Sequence, residues 1–238
     1  MVDFHIHILP NIDDGAEDAS ASVAMLRECA RQGIDRIYAT PHFYPDEEDP
    51  ASFLRRREES CAELKRALKD YAASGGSTAG FPQIHLGAEV YYFPGISDCK
   101  EIVPLAMGDT GTILIEPPVA PFTDNMLDEI EDIYDKLGLI PVIAHPDRYA
   151  RLLDDESLFD RLAERRILVQ VNASFFIRQD RRMLAMQMLD EGKIHFLGSD
   201  AHDTSSRAPN LAIAAEKINS ANLSKKLANI MQIFYNSD

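Results

Sequence analysis

The sequence predicts an α/β fold in which parallel strands curl into a closed or nearly closed barrel. Strand-like and helix-like segments alternate along the chain and give a count of seven strands. Almost every apolar, β-branched run ends in His, Asp or Glu, the pattern expected where side chains gather at the ends of successive barrel strands. With 238 residues and 45% hydrophobic content, the chain can bury one large core, so a single domain over residues 1–238 is expected.

Residues 2–8 alternate, with Val2, Phe4, Ile6 and Ile8 on one face and Asp3, His5 and His7 on the other. An amphipathic helix follows over 20–31 and is stopped by Gly33. A second strand spans 35–42, and a long charged helix over 52–73 turns its Glu, Lys and Arg residues to solvent. The Gly/Ser-rich stretch 74–80 reads as a surface loop, because the series of strands continues past it. Further strands are expected at 84–92, 112–116, 139–145, 167–172 and 194–200. Helices are expected at 124–137, 156–165 and 181–191, with one or two more after Pro209.

Composition narrows the function. A formal net charge of −15 argues against a nucleic-acid or anionic-membrane surface. Cys29, Cys61 and Cys99 are far apart and form no CxxC pair, which suits a reduced, intracellular protein. The chain runs straight into a strand, with no basic leader and no apolar stretch near the ~20 residues that span a bilayer. A soluble, cytoplasmic protein without membrane insertion is expected.

The chemistry lies in five short segments. They read Asp3-Phe4-His5-Ile6-His7, Thr40-Pro41-His42, Gly87-Ala88-Glu89, Ala144-His145-Pro146 and Gly198-Ser199-Asp200-Ala201-His202. His-x-His on a strand puts both imidazoles on one face, ~6.6 Å apart along the backbone. The opposite face is apolar and packs against helices, so the polar face points inward and needs charges or metals to satisfy it. Asp13-Asp14 in the next loop would serve as a helix cap in isolation; beside His5 and His7, one of the pair becomes a candidate ligand. Glu116 closes another apolar run and, if buried, requires a partner. The candidates are thus His5, His7, one of Asp13 and Asp14, His42, Glu89, Glu116, His145, Asp200 and His202. Five histidines and four carboxylates exceed what one ion can use, and the thiolate-free set favours manganese, iron or zinc. A multinuclear metallohydrolase is expected. His85 lies ~13 Å down its strand from Glu89, and His195 starts its strand with the wrong parity, so both read as packing residues. Arg148 and Arg207 follow His145 and His202 into loops over the same barrel mouth, where paired guanidiniums suit bidentate capture of phosphate.

Together these segments resemble the polymerase-and-histidinol-phosphatase (PHP) superfamily. The similarity is greatest to its branch of manganese-dependent protein-tyrosine phosphatases encoded with bacterial capsule and exopolysaccharide genes. The run Asp3-x-His5-x-His7-Ile8-Leu9-Pro10-x-Ile12-Asp13-Asp14-Gly15-Ala16 looks like that branch's opening motif. Ala39-Thr40-Pro41-His42, Gly87-Ala88-Glu89, Leu114-Ile115-Glu116, Ala144-His145-Pro146-Asp147-Arg148-Tyr149 and Gly198-Ser199-Asp200-Ala201-His202 follow in family order.

The resemblance implies a distorted (β/α)7, TIM-like barrel holding three divalent metal ions. His5, His7, Glu89 and Asp200 would hold one; Glu89 would bridge to a second near Glu116 and His145; Asp14, His42 and His202 would serve the third. Arg148 and Arg207 match phosphate-binding positions, and Asp3 would orient a histidine. The implied substrate is phosphotyrosine in the tail of a membrane-associated bacterial tyrosine autokinase that controls polysaccharide export. The chain departs from the family pattern in the 74–83 loop and in a compact segment between His145 and Asp200, both of which shape the rim.

Phosphomonoester hydrolysis is the expected reaction, with metals acidifying a water and the two arginines holding the phosphate for in-line attack. A cysteinyl-phosphate route needs Cys-x5-Arg, and none of the three cysteines has Arg six residues on. The alternatives are a small-molecule phosphatase of the same superfamily, such as one for histidinol phosphate, and a non-catalytic metal-stabilised module.

Overall fold

A computed structural model describes residues 1–152 and 157–232. Strands and helices alternate from the start: β1 (Val2–Ile6), α1 (Ala19–Arg31), β2 (Arg36–Ala39), β3 (His42–Phe43), α2 (Pro50–Ala73), β4 (Gln83–Leu86) and β5 (Glu89–Tyr91). Two 3-10 turns lead to β6 (Thr112–Glu116), α3 (Asp124–Leu137), β7 (Ile140–Ile143), α4 (Pro146–Leu152), α5 (Leu158–Ala163) and β8 (Leu168–Asn172). The chain continues through α6 (Ala173–Ile177), α7 (Arg182–Asp190), β9 (Phe196–Gly198), α8 (Leu211–Ser220) and α9 (Ser224–Gln232).

All strand pairs are parallel, in one group ordered β1-β2-β4 and another ordered β3-β5-β6-β7-β8-β9. The two groups are one curled sheet, because β2 runs on into β3 and β4 into β5. The expected second and third strands are therefore present but broken near their upper ends. Pro41 has no N–H for the ladder, and the Gly87 carbonyl turns aside to accept from Arg57 Nη1 at 2.8 Å. The curl closes where Ile6 bridges Ala201: Asp200 N–H donates to His5 O at 2.8 Å, and His7 N–H to Ala201 O at 2.9 Å. Counting each broken pair once, seven strands make the ring among the described residues, as the sequence predicts.

Local chemistry explains the helix ends. Asp18 accepts from Ala21 N–H, Asp49 caps α2 just before Pro50, and Thr123 accepts from Met126 N–H. Gly138 stops α3 at φ 71°. The apolar face of β1 packs outward as expected, with the Phe4 ring 5.3 Å from Tyr38 and 4.8 Å from Phe196.

Some expectations need correction. Arg57 is not on the solvent side of α2; it is buried and holds two loop carbonyls, Gly87 O and Pro104 O. α4 and α6 have no sequence counterpart, since they are only seven and five residues long and follow closely on a strand. The helix expected over 156–165 is observed at Leu158–Ala163, and Glu156 lies outside the described residues.

Candidate metal centre

The ring delivers all nine candidate ligands to one end of the barrel, where they form four overlapping groups. These are His5, His7 and Asp200; His5, Glu89 and His145; His42, Glu89 and Glu116; and His7, Asp14, His42 and His202. Glu89 lies at the middle with its side chain fully buried. Its Oε2 is 3.1 Å from His5 Nε2, 3.3 Å from His7 Nε2 and 3.1 Å from His42 Nδ1, and its Oε1 is 2.7 Å from His145 Nε2. Glu116 faces His42 Nδ1 at 3.4 Å and His145 Nε2 at 3.9 Å. Asp14 reaches in from the rim, with Oδ1 3.1 Å from His202 Nε2 and 3.6 Å from His42 Nε2. His145 and Asp200 sit just past their strands at φ 34° and 52°. This left-handed backbone is costly for residues with a Cβ and is seen where surrounding structure enforces it.

Two of the imidazoles, His5 and His7, are aimed through Nδ1 by side chains outside these four groups. Gln170 Oε1 can only accept, so the His5 Nδ1–H donates to it at 3.1 Å and the His145 N–H joins at 3.1 Å. The Gln170 amide then donates to Asn172 Oδ1 at 3.1 Å, and the Asn172 amide to Asp200 Oδ2 at 2.8 Å. His7 Nδ1–H donates to Asp13 Oδ2 at 2.8 Å, an oxygen that also accepts from His42 N–H at 3.0 Å. Asp13 and Asp14 thus divide the work: Asp13 is buried and aims His7, while the exposed Asp14 reaches His202 and His42 from the rim. The Tyr149 hydroxyl donates to Glu116 Oε1 at 3.3 Å. Gln170 and Asn172 were legible in principle: they alternate with Val169 and Val171 as Asp3, His5 and His7 alternate with apolar residues in β1. Asp3 does not orient a ring; its buried carboxylate accepts from Ser199 N–H at 2.8 Å and His5 N–H at 3.2 Å, pinning the β1–β9 seam.

The electrostatics of this cluster suit cations. With both Nδ1 protons committed, neutral rings of His5 and His7 would point Nε2 lone pairs at each other across 3.0 Å, a repulsion that a positive charge at this place relieves. Burial alone would lower both imidazole pKa values; Glu89 and Asp200 raise that of His5, and Asp13 and Glu89 hold that of His7 well above its ordinary value. Burial opposes ionisation of Glu89, yet His5, His145 and His42 hold its carboxyl well below the usual range. Asp200 likewise falls to about 2 against burial, through His5, His145 and His7. Burial and His7 push His202 down to about 4, so its ring is a neutral donor-atom source. The buried His42 Nδ1, His145 Nδ1 and His202 Nε2 make no hydrogen bond among the described residues. In each group the donor atoms lie within 4.8 Å of one another. Ligands ~2.1 Å from one ion are at most ~4.2 Å apart, so small rotations convert each group into a coordination shell. The residues present fit divalent metal ions.

The two arginines meet at Asp200 from opposite sides. Arg148 Nη1 is 3.4 Å from Asp200 Oδ2; Arg207 Nη2 is 2.9 Å from Oδ1, and its Nη1 is 3.4 Å from Asp14 Oδ2. Both remain partly open to solvent at 50% and 38% exposure, placed to hold an anion arriving over the cluster. The two histidines set aside stay outside the cluster: His85 stacks on Tyr38 at 5.2 Å, and His195 Nδ1 accepts from Val169 N–H at 3.1 Å.

A family model described as "Capsular polysaccharide synthesis, CpsB/CapC" matches residues 1–237. The chain belongs to this family. It is 34% identical over 221 residues to tyrosine-protein phosphatase YwqE of Bacillus subtilis, covering 87% of this chain and 79% of that one. Tyrosine-protein phosphatase CpsB of Streptococcus pneumoniae is 28% identical over 225 residues, covering 88% and 86%. A crystal structure from work on YwqE and CpsB, described there as unique metal-dependent tyrosine phosphatases, superposes with a TM-score of 0.81. That match has 27% identity and covers 99% of this chain and 95% of the other. The resemblance drawn from the motifs and the curled parallel sheet both agree with membership of CpsB/CapC.

Proposed function

We propose that the protein is a metal-dependent phosphomonoester hydrolase acting on phosphotyrosine, as the names of its CpsB/CapC relatives suggest. The observation that carries this reading is the Glu89 carboxylate, ringed by four imidazoles, with two guanidiniums above it at Asp200. In the proposed assignment Glu89, which belongs to two of the groups, would be shared between two ions. His5, His7 and Asp200 complete one site, His145 and Glu116 the next, and Asp14, His42 and His202 hold a third ion. His7 and His42 each stand between two of the groups, so a ring rotation decides which ion each serves. Manganese is the proposed metal, with iron or zinc compatible with the same nitrogen and oxygen donors. Bound divalent ions supply Lewis acidity, acidifying water near neutral pH and offsetting phosphate charge.

The chain's own side chains do the rest. Arg148 and Arg207 bind non-bridging phosphate oxygens and fix the ester over the cluster, where charge developing on those oxygens is met by donors already in place. Gln170, Asn172 and Asp13 keep the imidazole Nε2 atoms and Asp200 aimed, so little reorganisation is needed when substrate arrives. The proposed physiological substrate is the phosphotyrosyl tail of a membrane-associated bacterial tyrosine kinase governing capsule or exopolysaccharide synthesis. Among the described residues no helix is long and apolar enough to cross a membrane. A cytoplasmic location and action of residues 1–238 as one domain complete the proposal. The test is turnover by metal-analysed protein of phosphotyrosyl peptide, phosphoseryl peptide and histidinol phosphate. Preference for the first supports the reading, preference for histidinol phosphate moves it to the small-molecule branch, and no turnover at full metal content overturns it.

A further inference from the structure

Residues i and i+2 of a strand share a face, about 6.6 Å apart. In the ladder between β3 and β5, His42 pairs with Glu89 and Phe43 with Val90. One pleat above the His42–Glu89 pair, on the same inner face, stand Tyr44 and Tyr91. Their ring centroids are 5.7 Å apart with planes tilted by 52°. Tyr44 also lies over His42, 5.2 Å between centroids and 21° from parallel. Both rings are partly buried. Nearby tyrosines commit their hydroxyls to carboxylates, Tyr92 to Glu129 and Tyr149 to Glu116, whereas no such bond ties Tyr44 or Tyr91 among the described residues.

We propose that Tyr44 and Tyr91 form the wall that receives the organic part of the substrate, selecting a flat aryl phosphate over an alkyl one. This rests on the phosphate-ester reading above and specifies how that site chooses its ester. Going round the ring, the arginines follow β7 and β9, while the two tyrosines extend β3 and β5 on the far side. A phosphate held by Arg148 and Arg207 over the ligands therefore directs its ester group across the mouth. The group emerges about one pleat higher, at the level of the tyrosine pair. Two rings set at 52° offer one face and one edge, the geometry in which a third ring packs best. An alkyl chain makes fewer contacts there and gains no ring–ring attraction.

Non-hydrolysable phosphonates test this without involving the leaving group. Phenylphosphonate and methylphosphonate are titrated against the manganese-loaded full chain, its Tyr44→Leu and Tyr91→Leu variants, and Tyr44→Phe, with metal content measured for each. Loss of a ring–ring contact is expected to weaken phenylphosphonate about two- to tenfold in both leucine variants. Methylphosphonate binding should be unchanged, and Tyr44→Phe should bind both ligands as the wild type does. If Tyr44→Leu loses metal because the ring also supports His42, Tyr91→Leu decides, since Tyr91 stacks on no candidate ligand. Equal weakening of both phosphonates, or of neither, overturns the proposal. Failure of both phosphonates to bind the wild-type protein removes the phosphate-ester reading itself, and this inference with it.

Discussion

Gln170 ties three strands of the site together through one amide, fixing His5 on β1, His145 after β7 and, by way of Asn172, Asp200 after β9. Gln170→Leu keeps the bulk and removes the acceptor, so His5 can flip and the His145 N–H is left unpaired. Manganese affinity is expected to fall about 10- to 100-fold, the usual cost of losing a residue that aims a metal-binding imidazole; an unchanged titration would dismiss that role. Arg148→Ala and Arg207→Ala address the anion instead. Each removes charge-assisted bonds worth roughly 1.5–3 kcal/mol, so kcat/KM for a phosphotyrosyl peptide should drop by about one to two orders of magnitude with metal content intact. Lysine should restore only part of it, lacking the planar fork. Wild-type kinetics in both alanine variants would reduce the arginines to surface charges. The convergence of the candidate ligands was legible at this scale because strand parity and run-ending His, Asp and Glu are sequence patterns. The aiming residues were less so: whether Asp13 or Asp14 turns inward depends on where His42 N–H arrives from another strand.

At the scale of elements, the seam between β1 and β9 leaves no room. A Cβ on Gly198 would stand 2.5 Å from His5 Cβ and 2.8 Å from Gln170 Nε2. Gly198→Ala must push the two strands apart, and overpacking of this kind costs about 1–3 kcal/mol. Urea denaturation should show that loss together with weaker metal binding, whereas a loss of stability with metal affinity untouched would mean that the seam and the centre are independent. Beside it, β8 is tied to the start of β9 by His195, whose burial lowers its pKa below 6.5. The unfolded chain then takes up the proton more readily, so stability present above pH 6.5 is lost as pH falls through the folded-state value. His195→Gln should remove that share of the acid sensitivity, seen as converging urea midpoints for the two proteins between pH 7.5 and 5.5. Parallel curves would contradict it. The seven-strand count was readable because each strand is a distinct apolar run. The breaks at Pro41 and Gly87 were not, since they depend on a neighbouring ladder and on Arg57 crossing from α2.

For the whole molecule, the centre couples chemistry to stability. Four carboxylates and five imidazoles converge at the barrel mouth, and an ion that binds only the folded arrangement stabilises it by mass action. Two to three ions per chain are expected after manganese reconstitution, with a melting temperature that rises with free metal; one ion or fewer by elemental analysis would exclude a multinuclear centre. Chelation should abolish turnover and lower that temperature, while thiol alkylation should leave turnover unaffected, since Cys29 and Cys61 are buried and none of the three cysteines belongs to the ligand groups. Barrel closure follows the same logic in time. His5 lies on the first strand and His7 just past it, and Asp200, His202 and Arg207 lie beyond the ninth, so nearly two hundred residues separate the two edges that must meet. During synthesis the early ligands leave the ribosome long before their partners exist, and the cluster is completed only when β9 meets β1. Partial folds with an open seam therefore cannot assemble the full set of candidate ligands, and turnover reports on a ring that has closed.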